Sequence, residues 1–198
     1  MATKTDTRTR LVETAAELLH ERGYEGMSLT EVLSRSGAPR GSLYYHFPGG
    51  KDELVCEATR IGVEYVSSFL QTTFSPRADP IDGVYRYAGE ATRELSESGF
   101  IFGCPVAPIV LDGVASAELR VICREAMFTW QRIIAERLRL AGLGHERAIS
   151  FAALLVSAVE GALLVARALR EVTPLQQVGC ELAAQLEGML RTREGAHE

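Results

Sequence analysis

Between Val32 and Lys51 the chain carries three cations, Arg35, Arg40 and Lys51, and no acidic residue, although its overall formal charge is −5. Arg40, Gly41, Ser42, Tyr44, Tyr45 and His46 crowd into this stretch. The set suits a polyanion with hydrogen-bonding edges. Arginine binds guanine or phosphate, serine and tyrosine hydroxyls bind phosphate, and a glycine lets the backbone approach closely. Lys4, Arg8 and Arg10 fit an N-terminal arm or further phosphate clamps. Residues 1–55 as a whole carry seven basic and eight acidic residues, so charge is sorted by face. The net negative chain argues against a non-specific nucleic-acid coat.

Helices must position these side chains, because apolar residues recur at helical spacing and alternating strand patterns are nearly absent. A first helix is predicted from about Thr7 to Arg22, with Leu11, Ala15, Leu18 and Leu19 on one stripe and Gly23 as its stop. Ser28 and Glu31 have capping-box spacing and open a short helix whose inward face is Leu29, Val32 and Leu33. Gly37 breaks the chain, and Pro39 starts a third helix carrying Leu43 inward. Longer helices follow over Lys51–Phe74 and Pro80–Ser96. Phe100–Gly113 holds two prolines and predicts a short or kinked helix. The remaining helices fall at Ser116–Leu140, Glu146–Arg170 and Pro174–Arg191. The fold class is all-α with about nine helices, divided into a unit over residues 1–50 and a larger one over 51–198.

Short helix, glycine turn, short helix over Ser28–Phe47 is the helix-turn-helix arrangement. Here the string SLTEVLSRSGAPRGSLYYHF is similar to the DNA-binding signature of the TetR family of transcriptional regulators, with Gly37, Leu43, Tyr44, His46 and Phe47 in register. The resemblance covers about residues 8–56. The FPGGKDEL segment, with one extra glycine, and GCPVAP at Gly103–Pro108 look like the branch of the lincomycin-resistance regulators. The resemblance implies double-stranded operator DNA as a partner, with Thr30 a base or phosphate contact and Lys51 a phosphate contact. Arg40, Gly41, Ser42, Tyr45 and His46 join them. Leu43, Tyr44 and Phe47 share a helical face, so Tyr44 is either a core aromatic or a phosphate contact.

The resemblance also implies a small effector bound among the helices behind the DNA-binding unit. Tyr65, Phe69, Phe102, Cys104, Met127, Phe128, Trp130 and Phe151 are the aromatic and sulfur residues available to line its site. Scarcity of nearby acids favours a neutral or weakly polar ligand. The run AISFAALLVSAVEGALLVA, Ala148–Ala166, has about the length of a bilayer span. Glu160 interrupts it, and a helix apolar on all sides is more simply one covered by a core and a partner subunit. Ala153, Ser157, Ala158 and Gly161 give it a small-residue face for a homodimer, with no membrane partner. Glu160 within it needs an ion-pair partner or a ligand.

Catalytic signatures are missing: no G-x-S-x-G elbow, phosphate loop, dinucleotide fingerprint or H-E-x-x-H. His20, His46, His145 and His197 fall in separate segments. Cys56, Cys104, Cys123 and Cys180 have no metal or disulfide spacing and read as buried structural thiols, with redox sensing by Cys104 a lesser option. No enzyme, cofactor or metal is expected. The polar N-terminus has no signal-peptide core, which points to the cytoplasm. The rival reading is a small-molecule-binding helical protein without DNA binding.

Overall fold

The computed structural model describes residues 4–113 and 116–194, with side chains from residue 7 to residue 191; Lys4 and His197 lie outside those described side chains. Nine α-helices and no strand occur among the described residues. They are α1 (Lys4–Gly26), α2 (Leu29–Ser36), α3 (Arg40–His46), α4 (Lys51–Thr73), α5 (Pro80–Glu97), α6 (Ala107–Leu111), α7 (Ala117–Leu140), α8 (His145–Leu169) and α9 (Thr173–Glu194).

Two compact units are present. One comprises residues 1–65 and 104–126, the other residues 66–103 and 127–198. In the first, α1 packs on α2, α3 and α6. Leu11, Val12, Ala15, Leu18 and Leu19 of α1 bury their side chains with Val32, Leu43 and Phe47. The predicted stop at Gly23 is real: that residue leaves helical geometry at φ 71°, ψ −177°, and one further turn follows it. Ser28 caps α2 as expected, its Oγ accepting the Glu31 N–H at 3.2 Å. Glu31 does not complete the box. Its carboxylate turns to Arg22 at 2.7 Å and Arg35 at 3.0 Å. Ser28→Ala should therefore lower stability by about 1 kcal/mol, measurable as a shift in the urea midpoint without change of slope. No shift would mean that solvent serves the N–H equally well. Gly37 closes α2 in the left-handed region at φ 63°, which other residues adopt only at a cost.

In the second unit α5, α8 and α9 pack on one another. The α8 face of Ala148, Phe151, Ala152, Leu155, Val156, Val159, Ala162 and Ala166 is buried. By length and composition α8 is apolar enough to cross a bilayer; in this fold that apolarity covers an inner face, and a second face looks outward. Leu154, Leu164 and Val165 are exposed there, together with Ser157 and Gly161, while Ala153 and Ala158 are half-buried. Glu160 is half-buried, not enclosed. The proline-bearing segment forms only the five-residue α6, with Pro108 in its first turn. Cys180 on α9 is exposed, which corrects the expectation that all four thiols are interior. Burial pushes the Cys56 thiol up to about 11 and raises that of Cys123 as well, so neither offers a thiolate near neutral pH.

Candidate nucleic-acid interface

Of the seven residues of α3, Leu43 is buried, Ser42 and His46 are half-buried, and Arg40, Gly41, Tyr44 and Tyr45 are exposed. Leu43 within the helix and Phe47 at its C-terminal cap are fully buried, the Phe47 N–H bonding the Leu43 carbonyl at 2.7 Å. Tyr44 and Tyr45 stand 63% and 64% exposed. The core role entertained for Tyr44 is thereby excluded: the helix is rotated so that Leu43 and Phe47 alone point inward. Tyr45 meets His46 edge-on, with ring centroids 5.0 Å apart. Ser42 Oγ donates to the Pro39 carbonyl at 2.6 Å, fixing the first turn. Arg40 and Gly41 are exposed at its start, and Thr30 is exposed in the first turn of α2. A Cβ at Gly41 would meet no atom within 4 Å, so its outer side is open to a ligand backbone.

The cations differ in their freedom. Arg35 is engaged by Glu21 at 2.8 Å and Glu31 at 3.0 Å, and the guanidinium beside Glu21 holds that carboxyl below its ordinary range. Arg8 pairs with Glu57 at 3.0 Å and lies 5.2 Å from the Phe47 ring centre. Arg10 donates to the Ser36 carbonyl at 3.0 Å. Arg8 and Arg10 therefore brace the unit's own α2, α3 and α4 instead of extending as an arm. Lys51, the first residue of α4, places its Nζ 4.3 Å from the centre of the Tyr24 ring. The Tyr24 hydroxyl donates to Asp52 Oδ1. Burial, and then the Asp52 carboxylate, push this phenol up to about 12. Tyr24 and Asp52 were not singled out from the sequence; only the stop at Gly23 pointed near them.

The residues of the expected effector set differ in burial. Trp130 and Phe151 are buried core residues, and the Trp130 indole N–H is satisfied by Ser67 Oγ at 3.0 Å. Tyr65, Phe102 and Phe128 are exposed, and Phe69, Met127 and Cys104 are intermediate. Tyr65 and Cys104 belong to the first unit, the others to the second. A half-open cavity of about 410 Å³ lies between α7 and α8, with Phe128, Ala135, Ala148 and Ile149 against Arg132 and Arg139. Of the predicted set it includes Phe128 alone.

Comparison with known proteins agrees with this arrangement. Residues 11–58 match the model of bacterial regulatory proteins of the tetR family, and residues 80–181 match the LmrA/YxaF-like transcriptional regulator C-terminal domain. The chain belongs to the TetR family. Within it, the chain is 32% identical over 174 residues to the HTH-type transcriptional regulator LmrA of Bacillus subtilis, covering 87% of this chain and 93% of that one. It is 34% identical over 183 residues to an HTH-type transcriptional regulator of Mycobacterium tuberculosis, covering 88% and 91%. A TetR regulator from Chloroflexus aurantiacus has the same fold, with a TM-score of 0.79 at 23% identity, over 94% of this chain and 97% of that one. As a TetR-family chain this is a DNA-binding transcriptional regulator and not an enzyme.

Proposed function

We propose that the chain is a cytoplasmic, ligand-responsive repressor that binds a palindromic operator as a homodimer. Residues 1–50 read the DNA, and residues 51–198 bind the effector and the second subunit. Arg40 reads a base edge, with Thr30, Gly41, Ser42, Tyr44, Tyr45, His46 and Lys51 around it on bases and phosphates. The observation that carries this is the outward face of α3: Arg40, Tyr44 and Tyr45 are exposed side by side above an anchor of Leu43 and Phe47. Exposed phenol hydroxyls beside an exposed arginine suit contacts to phosphates and base edges.

The outward α8 face supports pairing with a second copy through Ala153, Ser157, Ala158 and Gly161. The α7–α8 cavity supports binding of a small effector, since its volume falls in the range of ligand sites. Effector binding acts by favouring a conformation in which the two reading helices no longer match successive major grooves, and the operator affinity falls by the differential binding energy.

Selection of duplexes from a random-sequence pool by the full chain tests this reading. Enrichment of a two-fold-symmetric sequence is expected. Arg40→Ala removes one contact from each half-site, so it should bind the enriched duplex about 30- to 25,000-fold more weakly, the equivalent of roughly 2–6 kcal/mol, with discrimination lost at one base pair of each half-site. A folded wild-type chain that enriches nothing would sink the reading.

A further inference from the structure

The break in α1 at Gly23 is held from a distant part of the same unit. Asp112 caps the C-terminus of α6, and its Oδ2 accepts the backbone N–H groups of Tyr24 at 2.6 Å and Glu25 at 3.3 Å. These donors lie in the turn that follows the break. A carboxylate on two such donors makes charge-assisted hydrogen bonds and favours the positive end of the turn. The fit is close. A Cβ at Gly23 would lie 2.4 Å from Asp112 Oδ2, and the φ of 71° already favours glycine.

Tyr24, fixed in this way, reaches the first turn of α4. Its ring lies under the Lys51 ammonium and its hydroxyl engages Asp52. The face of an aromatic ring attracts a cation, so the ring's position sets where the ammonium rests. Gly50, just before Lys51, lies beside the Tyr44 ring of α3, a Cβ there being 4.0 Å from Cε1. Lys51 is therefore held at the edge of the reading face.

We propose that Asp112 is a positioning residue for DNA binding: its carboxylate fixes the backbone of Tyr24, and Tyr24 seats Lys51 for a phosphate. This rests on the Lys51 contact proposed above. Asp112 itself touches no DNA, and its effect runs through the count of phosphates that the protein neutralises.

The test measures affinity of the full chain, across a salt series, for the duplex enriched by the wild type. Each lost phosphate contact reduces the slope of log K against log salt by about 0.9, so a dimer that loses one contact per subunit shows a reduction of about 1.8. Lys51→Ala should show that reduction, with affinity lower by about tenfold at physiological salt. Asp112→Ala should show the same reduction, and the double variant no further one. Asp112→Asn keeps an acceptor oxygen and should restore the wild-type slope. Thermal melts confirm that each variant is folded. Should Asp112→Ala not fold, Tyr24→Leu removes the ring beneath Lys51 and must reproduce the reduced slope. A folded Asp112→Ala or Tyr24→Leu with the wild-type slope overturns the proposal, even where affinity falls. So does additivity with Lys51→Ala. Failure of the DNA-reading proposal is seen separately, as a wild type that enriches no duplex.

Discussion

Phe47→Ala is expected to cost about 3–5 kcal/mol of stability and to abolish DNA binding with it. The ring is fully buried at the end of α3, next to Leu43 and with the Arg8 guanidinium over it. It is one of only two inward anchors for this helix. Removing it deletes the transfer energy of an aromatic ring and leaves a cavity that Leu43 alone cannot fill. Small domains are stable by about 5–15 kcal/mol, so the loss consumes much of what holds the reading helix in place. Urea unfolding followed by circular dichroism checks it. A cost below about 1 kcal/mol would show that α3 is held mainly by its neighbours.

A charge in the middle of the outward α8 face should separate the proposed dimer. Leu164 is 64% exposed in the single chain and lies on the same helical stripe as Ser157 and Gly161. In a two-fold interface Leu164→Asp places one buried charge in each protomer, so the cost enters twice. At about 2 kcal/mol per site the dissociation constant rises roughly a thousandfold. Sedimentation at micromolar concentration should show wild-type dimers and Leu164→Asp monomers. A wild-type monomer, or a variant still dimeric, would refute pairing through this face. Ala158→Asp, on a half-buried neighbour, tests the same surface with a smaller side chain.

The helices were legible because their boundaries are written locally. Gly23, Ser28, Gly37, Pro39 and Pro80 act through their own φ or their own side chain, and each stands where the sequence places it. The rotation of α3 was less legible. Seven residues make only two turns, and Leu43, Tyr44 and Phe47 fit one face on a helical wheel until a neighbour decides which of them is covered. The aromatic set is harder to read for a related reason: composition does not tell a side chain that fills space from one that lines it. Trp130 and Phe151 fill. The contact of Asp112 with Tyr24 spans 88 positions and leaves no periodic trace in either segment. Arg35 is intermediate, since its partner Glu31 is four residues away and readable, whereas Glu21 is on another helix.

The capture of Arg35 bears on how such a protein searches a chromosome. Affinity for arbitrary DNA grows with the number of cations free to displace counterions. With Arg8 and Arg35 each engaged by a carboxylate, the face around α3 keeps few such cations, and the chain as a whole is acidic. Arbitrary sequence then retains the protein only briefly, and the millions of competing sites in a genome sequester a smaller share of it. For the proposed operator, weaker competition from arbitrary sequence lowers the number of copies needed to keep it occupied.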